Sequence, residues 1–393
     1  MKKVIIIGAG ASGIICAIHL ADIMKDVKIT LLEKNERIGK KLLSTGNGKC
    51  NITNTTVSPE SYCGEFSGAI IQKFGFEFTR SFFESIGLYI KSDSFGRCYP
   101  LSESANNCLN IFLSALAKRN IEIITGCEVK SIKKKGSSFF VGADKSYEAD
   151  AVLLSFGSAA SVKGYNGLDL LHNLGLNIDK PSPALCPIPS DEEFLKQLKG
   201  VRIKGTLRLD EHSESGEIQF NEKNVSGICA FNLSRYVKDS DILHINFNSE
   251  KIENKKLISI INSKKQSASE NAELLDFLFT RKLGFVILKK AGLKPSGNPG
   301  ELQKKDVERL VSLINDFTLK IKKPTEFKSA QTVCGGLGSE QVNPDILEAR
   351  NIKGLFFGGE LLDSDAPCGG FNLQWAWSSG LCAAESIKTY LEK

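Results

Sequence analysis

Three stretches of the chain carry residues whose type and spacing could do chemistry. The first, VIIIGAGASGIICAIHLA from Val4 to Ala21, sets Gly8, Gly10 and Gly13 at G-x-G-x-x-G spacing between a short apolar run and a helical pattern. In a buried parallel strand that turns straight into a helix, Gly8 permits the tight turn and Gly10 lets a pyrophosphate approach the backbone. Gly13 lets helix and strand pack closely, with Ala11 and Ser12 completing the turn. The helix N-terminus then offers N–H groups and a positive dipole end to phosphates. The next apolar run, KITLLEK, ends in Glu33, twenty residues after Gly13. An acidic side chain there can hydrogen-bond a ribose hydroxyl and repels a 2′-phosphate, which favours FAD or NAD over NADP.

The second stretch, GKKLLSTGNGKCNITN from Gly39 to Asn54, holds three glycines, three asparagines and three lysines in sixteen residues. It is too polar and glycine-rich for a strand or a long helix, so a loop is expected, of a length that is uncommon unless functional or disordered. The third begins at Gly354: GLFFGGELLDSDAPCGGFNLQWAWSSG. GLFF reads as a short buried strand and Gly359-Glu360 to Asp363 as a turn. Gly369-Gly370-Phe371-Asn372 then starts a helix running towards Tyr390. An acidic residue after a strand can hold ribityl or ribose hydroxyls. The following helix N-terminus can stabilise negative charge at the N1–C2=O edge of a reduced flavin. A bare NAD domain has no need of such a returning segment, so the expectation is FAD.

Together GAGASG, Glu33, RIGKKLLSTGNGKCNITN, GRCYP and the C-terminal block resemble the BaiN/RdsA family of flavoproteins, also called NAD(P)/FAD-dependent oxidoreductases or aminoacetone oxidase family FAD-binding enzymes. The resemblance covers roughly residues 1–160 and 330–393. It implies an α/β fold: a Rossmann-like FAD-binding domain of the glutathione-reductase type, interrupted by an inserted β-barrel-like and helical region. Carried over residue by residue, it implies FAD contacts at Gly8, Gly10, Ala11, Ser12, Gly13, Glu33, Lys34 and Lys41. They continue at Thr45, Gly46, Asn47, Gly48, Cys50, Asn51, Val129, Gly157, Gly359, Glu360, Asp363, Gly370, Phe371 and Asn372. Gly46 and Gly48 would let the backbone come close to the cofactor, and Lys41 could reach phosphate or flavin oxygens. Asn47, Asn51 and Asn54 could fix turns by side-chain bonds to backbone. Cys50 is expected as a small buried packing residue. In the insert, GEIQFNEKNVSGICAFNLS departs from the family pattern at Asn221 and at Ile228, where Pro is usual.

These residues need a scaffold. MKKVIIIGAG has an apolar run too short for a signal peptide and reads as a buried strand. A helix is expected near Ala69–Ile86, a turn at GRCYP with Arg97 near flavin or substrate, and a helix over Ala105–Lys118. IEIITGCEVKSI, FFVGA and DAVLLSFG read as strands, the last returning to the parallel sheet at Gly157. KPSPALCPIP, at 180–189, marks the exit from the FAD domain. VRIKGTLRLD, GEIQF and ILHINFN alternate as antiparallel strands. From Glu250 to Phe317 the pattern is helical, with KPSGNPG as a linker. The expected organisation is therefore 1–185 and 327–393 for the FAD domain, 186–250 for a β-rich subdomain and 251–326 for a basic helical one. Gln331, Thr332, Gly335 and Gly336 would cross by the isoalloxazine.

Composition sets the outer limits. With 393 residues, 41% hydrophobic and 24% charged, the chain reads as an ordinary globular protein without a membrane span. Eleven scattered cysteines, without CxxC or a Cys/His cluster at metal spacing, argue for reduced thiols in a cytoplasmic protein and against a metal site. Net charge is +6 but uneven: residues 251–328 hold 17 Lys/Arg against 9 Asp/Glu, which leaves the remainder slightly acidic. That segment is either a set of solvated helix faces or a surface for an anionic partner such as RNA.

The insert has no second G-x-G-x-x-G after a strand, so NAD(P)H is expected as a transient, small-molecule donor. The resemblance implies reduction of an activated C=C bond, in a ribosomal RNA uridine or a steroid enone, and the basic insert favours RNA. The alternatives are an O₂-using oxidase of amines or other small molecules and a non-catalytic flavin-bound RNA-binding protein. Tyr165, His172, Arg202, Cys334 and Asp365 are the candidate general acids, none of which the sequence singles out. Nothing in it sets the oligomeric state.

Overall fold

The structure, a computed structural model, describes residues 1–160, 167–178 and 181–393. The chain divides into a first unit, residues 1–182 with 332–393, and a second, residues 183–331. In the first, β1 (Lys2–Ile7) runs into α1 (Ala11–Ile23), which returns to β2 (Val27–Leu32). A long excursion follows through α2 (Lys40–Leu43), β3 (Thr53–Asn54), α3 (Ser67–Lys73), α4 (Phe76–Ser85), β4 (Ile90–Ser92), β5 (Arg97–Pro100) and α5 (Ala105–Lys118) to β6 (Glu122–Ile124). β7 (Ser131–Lys135), β8 (Ser138–Gly142) and β9 (Ser146–Ala149) make an antiparallel meander, and β10 (Ala151–Leu154) and α6 (Gly167–His172) follow.

After β11 (Ser182–Ala184) the second unit contains β12 (Ile188–Pro189), α7 (Leu195–Leu198), β13 (Arg202–Leu209), β14 (His212–Phe220), β15 (Asn224–Ser226), α8 (Ile228–Leu233) and β16 (Ile242–Asn246). It continues with α9 (Asn254–Lys265), α10 (Arg281–Lys290), α11 (Lys304–Asn315) and β17 (Phe317–Lys320). β18 (Thr332–Cys334), β19 (Leu355–Phe357) and α12 (Phe371–Leu391) complete the first unit.

The first unit's sheet is parallel, in the order β19-β10-β1-β2-β6. Its strands are nearly continuous Val/Ile/Leu runs because both faces are covered. α12 packs on α1 so closely that a Cβ on Gly380 would stand 2.4 Å from the Ser12 carbonyl oxygen. Trp377, almost one turn earlier, also anchors α12. It is fully buried, stacks on Phe112 at 5.5 Å and donates its indole N–H to the Ile52 carbonyl at 2.8 Å.

The second unit's sheet is antiparallel, in the order β12-β15-β14-β13-β16-β17. Lys322 N donates to Pro189 O at 2.9 Å and Ser190 Oγ to Lys320 O at 2.7 Å, tying the first strand to the last and giving the barrel-like character. α9, α10 and α11 share one apolar core with this sheet, and β17, beyond the helices, completes it. Contacts therefore do not divide this unit at residue 250.

Four local expectations are corrected. The helix expected near Ala69–Ile86 is two helices, broken at Gly75, where a Cβ would lie 2.7 Å from Ile71 O. GRCYP is not a turn: Arg97–Pro100 is the central strand of a three-stranded sheet between β3 and β4. The Gly39–Asn54 loop contains α2 and ends in β3. The helical pattern at 270–293 is a short 3₁₀ turn, Asn271–Leu275, followed by α10.

Candidate functional site

The parallel sheet is in register across all five strands. Ile124, Leu32, Ile7, Leu154 and Phe357 lie in one row, and the backbone beyond that row carries the chemistry-bearing residues. Gly8 N donates to Leu32 O, Ser155 N to Ile7 O, and Gly358 N to Leu154 O, at 2.8–3.0 Å. The carboxyl ends of the strands thus present Gly8–Ser12, Glu33, Ser155–Ser158 and Gly358–Glu360 side by side, where open α/β sheets bind ligands.

Two glycines of the first turn differ in what they permit. A Cβ on Gly13 would stand 2.1 Å from Gly8 O, so its absence is what lets α1 lie against the strand end. A Cβ on Gly10 would meet nothing within 4 Å, which leaves room beside the α1 N-terminus. Ser12 Oγ, buried against Gly358 at the end of β19, has no hydrogen-bond partner among the described residues. An unsatisfied buried hydroxyl costs about 1–3 kcal/mol. An open cradle, an orphaned hydroxyl and first-turn amides that have no intrahelical acceptor fit a pyrophosphate.

Glu33 is buried, and its carboxylate accepts from Ala9 N and Asn35 N, both at 2.9 Å. It thereby fixes the glycine turn, and its second lone pairs are what a ribose hydroxyl would use. Glu33 O accepts from Cys127 N at 2.8 Å, which brings the half-buried Val129 segment beside it; Lys34 is exposed. Lys41 and Glu360, 319 positions apart, form an ion pair of 2.6 Å, and Ser158 Oγ donates to the same Glu360 oxygen at 3.0 Å. A Cβ on Gly157 would approach that oxygen at 4.0 Å. Ser158 escaped the sequence reading because only the fold brings it to Glu360.

The Gly39–Asn54 segment meets the C-terminal segment. Gly46, Asn47, Gly48 and Cys50 all have left-handed backbone, with φ of 57°, 54°, 84° and 59°. Thr45 Oγ1 closes the preceding turn on Leu42 O at 2.7 Å. With its carboxamide oriented to satisfy both ends, Asn51 accepts from Gly370 N and donates to Cys98 O and Thr53 O, each at 3.2 Å. Asn54 donates to Gly369 O at 2.9 Å and accepts from Thr56 N at 3.0 Å. Asn47 makes no side-chain hydrogen bond among the described residues; its contribution is the left-handed turn. Gly370 is required at the junction: φ is +101°, and a Cβ would lie 2.3 Å from Thr53 O. Phe371 O accepts from Tyr62 Oη at 2.9 Å, and Asn372 closes its own turn on Ala366 N and O at 3.1 and 2.8 Å. Asp363 accepts from Gly335 N at 3.1 Å, and Gly359 N donates to Ser379 Oγ at 2.9 Å.

Cys50 is buried, with Cys108 Sγ 3.9 Å from its own. The Cys50 contact and burial hold the Cys108 thiol protonated, well above the usual thiol range. Cys108 lies on α5, and no motif spacing announces it. Gln374 is another residue that pattern alone does not explain. Fully buried, it donates to Phe74 O at 3.0 Å, Thr79 Oγ1 at 2.7 Å and Ser378 Oγ at 2.9 Å, so it braces α12 beneath the site.

Of the candidate acids, Cys334 and Asp365 come together, with Sγ to Oδ2 at 3.4 Å and Asp365 buried. Arg202 is on the second unit's surface beside Glu217 at 3.5 Å, His172 is exposed at the end of α6, and Tyr165 lies outside the described residues. Arg97 donates to Asp93 Oδ2 at 2.7 Å.

The HI0933-like protein Rossmann domain family matches residues 2–386. The chain belongs to this family. Relatives align over almost the whole of both chains. The 3-dehydro-bile acid delta(4,6)-reductase of Clostridium scindens is 32% identical, covering 98% of this chain and 99% of its own. The ribosomal RNA dihydrouridine synthases of Escherichia coli and Haemophilus influenzae are each 25% identical, covering 98% of this chain and 97% and 98% of theirs. The chain is an FAD-dependent oxidoreductase with a Rossmann nucleotide-binding domain. No helix among the described residues is long and apolar enough to cross a membrane.

Proposed function

We propose that the protein reduces a C=C bond conjugated to a carbonyl, with NAD(P)H as the transient donor. The structural observation behind it is the row of strand ends: an open turn at Gly10, an orphaned Ser12 hydroxyl, buried Glu33 and the Lys41–Glu360 pair, with Gly359 hydrogen-bonded to Trp375 Nε1 and Ser379 Oγ in the first turns of α12. FAD, once bound and reduced by NAD(P)H, would supply hydride to one carbon of the C=C bond, and an acid or water would supply the proton to the other. The protein's part is to hold and orient. The α1 N-terminus and Ser12 would take the pyrophosphate, and Glu33 a ribose hydroxyl. Lys41, Glu360, Asp363 and the Asn51–Gly370 junction would take the remaining polar atoms, with the α12 N-terminus placing positive potential on the redox ring. The names of the relatives support conjugated C=C bonds as the substrate class, in a steroid or in ribosomal RNA uridine.

Ribosomal RNA is the substrate we favour. Lys255 and Lys256 on α9, Lys282 on α10 and Lys305 on α11 are exposed and have no carboxylate partner among the described residues. A net-positive insert of this kind suits a phosphate backbone. Eleven free cysteines support a cytoplasmic setting. The test is mass mapping of dihydrouridine in ribosomal RNA from cells with and without the gene. Loss of one site on deletion is expected. An unchanged map, with a steroid enone reduced by the purified protein, would move the assignment to the small molecule. Peroxide release with amine substrates would mark an oxidase instead.

A further inference from the structure

Phe95 is the most exposed aromatic side chain among the described residues, at 73%. It sits at the tip of the β4–β5 hairpin, and the tip is not loose. Asp93 Oδ1 accepts from Phe95 N at 2.9 Å and Arg97 N at 3.1 Å, and Asp93 Oδ2 accepts from Arg97 Nε at 2.7 Å. Gly96 N donates to Asp93 O at 3.0 Å, and Thr55 N to Gly96 O at 2.8 Å. The Arg97 guanidinium lies over the Phe95 ring, 5.0 Å from its centroid. An apolar ring held out in water by five hydrogen bonds, with a cation on it, is a poor core residue and a good ligand platform.

Its place in the fold gives the platform its ligand. The Asn54 carboxamide donates to Gly369 O at 2.9 Å and reaches Phe95 O at 3.4 Å. The hairpin tip is therefore tied through one side chain to the turn that starts α12, where Asn51 meets Gly370. We infer that Phe95 and Arg97 form the substrate platform, Phe95 stacking on the flat conjugated ring and Arg97 pairing with an anionic group of the same molecule. This rests on the reading above that a C=C bond conjugated to a carbonyl is reduced here. The shared chemistry is a planar enone or uracil ring carrying a phosphate or carboxylate. An aromatic face accepts any flat ring, and the guanidinium selects those with a negative charge within reach.

The test is calorimetric binding to the oxidised, FAD-loaded protein, with two anionic probes and their neutral counterparts. One pair is a short uridine-containing RNA and uridine; the other is a 4-ene-3-oxo steroid carboxylate and its methyl ester. The unmodified protein is expected to bind one of the anionic probes, which identifies the source. F95A weakens that binding by about tenfold or more, as loss of one stacking face implies, with flavin content unchanged. R97Q weakens the anionic probe by a similar factor and leaves its neutral counterpart unaffected. Failure of the unmodified protein to bind either anionic probe, or equal binding by F95A and R97Q, overturns the platform. Reduced flavin that is not reoxidised by a tightly bound probe instead overturns the reading of C=C reduction while leaving the platform standing.

Discussion

The two units treat buried charge in opposite ways. Every buried carboxylate among the described residues, Glu33, Glu348 and Asp365, lies in the first unit. Glu33 and Glu348 are met by backbone amides, the latter by Gly354 N at 2.8 Å. In the second unit the carboxylates stay at or near the surface, and buried Asn248 closes a local network with Ile252 O at 2.8 Å and Asn315 Oδ1 at 3.1 Å. Burying a carboxylate is costly unless donors surround it. In the first unit Glu33 bears that cost at the carboxyl ends of the strands, where a ligand's hydroxyls would complete the set, while Glu348 sits at the start of β19; the second unit has no such strand-end row. The difference separates a unit built around a ligand from one built as a scaffold with a charged exterior.

The strongest way to break this comparison is at the first-turn glycines. Gly13→Val puts side-chain atoms into the Gly8 carbonyl and is expected to cost about 4 kcal/mol or more, giving little soluble protein. Gly10→Val enters open space from an extended backbone, so it should leave Tm within a few degrees while removing most of the 450 nm absorbance. If the Gly10 variant stays fully yellow, the cradle is not a cofactor site. Next in size is Glu33→Ala. It leaves Ala9 N and Asn35 N without their acceptor, a loss of about 2–3 kcal/mol in urea unfolding, with flavin lost on gel filtration.

Lys41→Met tests the long-range pair. Lys41 is more than a third exposed, so its loss should cost under about 1 kcal/mol. FAD affinity should nevertheless fall by about tenfold if the cation serves the cofactor, since a charge-assisted bond to a phosphate or flavin oxygen is worth that much. The second unit supplies the control. A triple change of Lys255, Lys256 and Lys282 to Gln should leave the flavin spectrum intact and stability within about 0.5 kcal/mol. The slope of log affinity against log salt for ribosomal RNA should fall by about 2, from roughly 0.7 per lost phosphate contact. Flavin loss in that variant would erase the division between the units.

Much of the first unit was legible because its signals are local. Ala105–Lys118 and the α12 start at Phe371 follow from helical periodicity and from a Gly-Gly turn, and β1, β2, β10 and β19 from apolar runs. What was not legible depends on contacts that no sequence pattern announces. The break at Gly75 comes from Ile71 O one turn back, yet Ala69–Ile86 reads as one helical stretch. GRCYP looks like a turn until β3 and β4 are known to flank it. Cys108 beside Cys50, Ser158 on Glu360 and the Asp93–Phe95 part of the hairpin tip carry no motif of their own. Cofactor motifs are written in spacing because they shape one backbone segment; the side chains that complete the site are set by packing and leave no such trace.

The smallest expected effect concerns pH and falls on the first unit alone. His19, on α1, is held between the edges of Phe78 and Phe82 at 6.1 and 5.9 Å, and its Nε2 is buried without a hydrogen-bond partner. The charges facing it are Glu385 at 3.9 Å, Asp22 and Lys73. Burial lowers its pKa below the ordinary imidazole value, outweighing Glu385 and Asp22. The unfolded chain then takes up a proton near pH 6.5 that the folded chain still refuses, so stability falls as pH drops through the window below that value. His19→Leu keeps the packing and removes the proton site. Its loss of Tm between pH 7 and pH 5 should be smaller than that of the unmodified protein, and flavin release, which reports the first unit, should shift with it. Equal acid sensitivity in both proteins would place the pH response on carboxylates shared by the two units and remove His19 from the contrast between them.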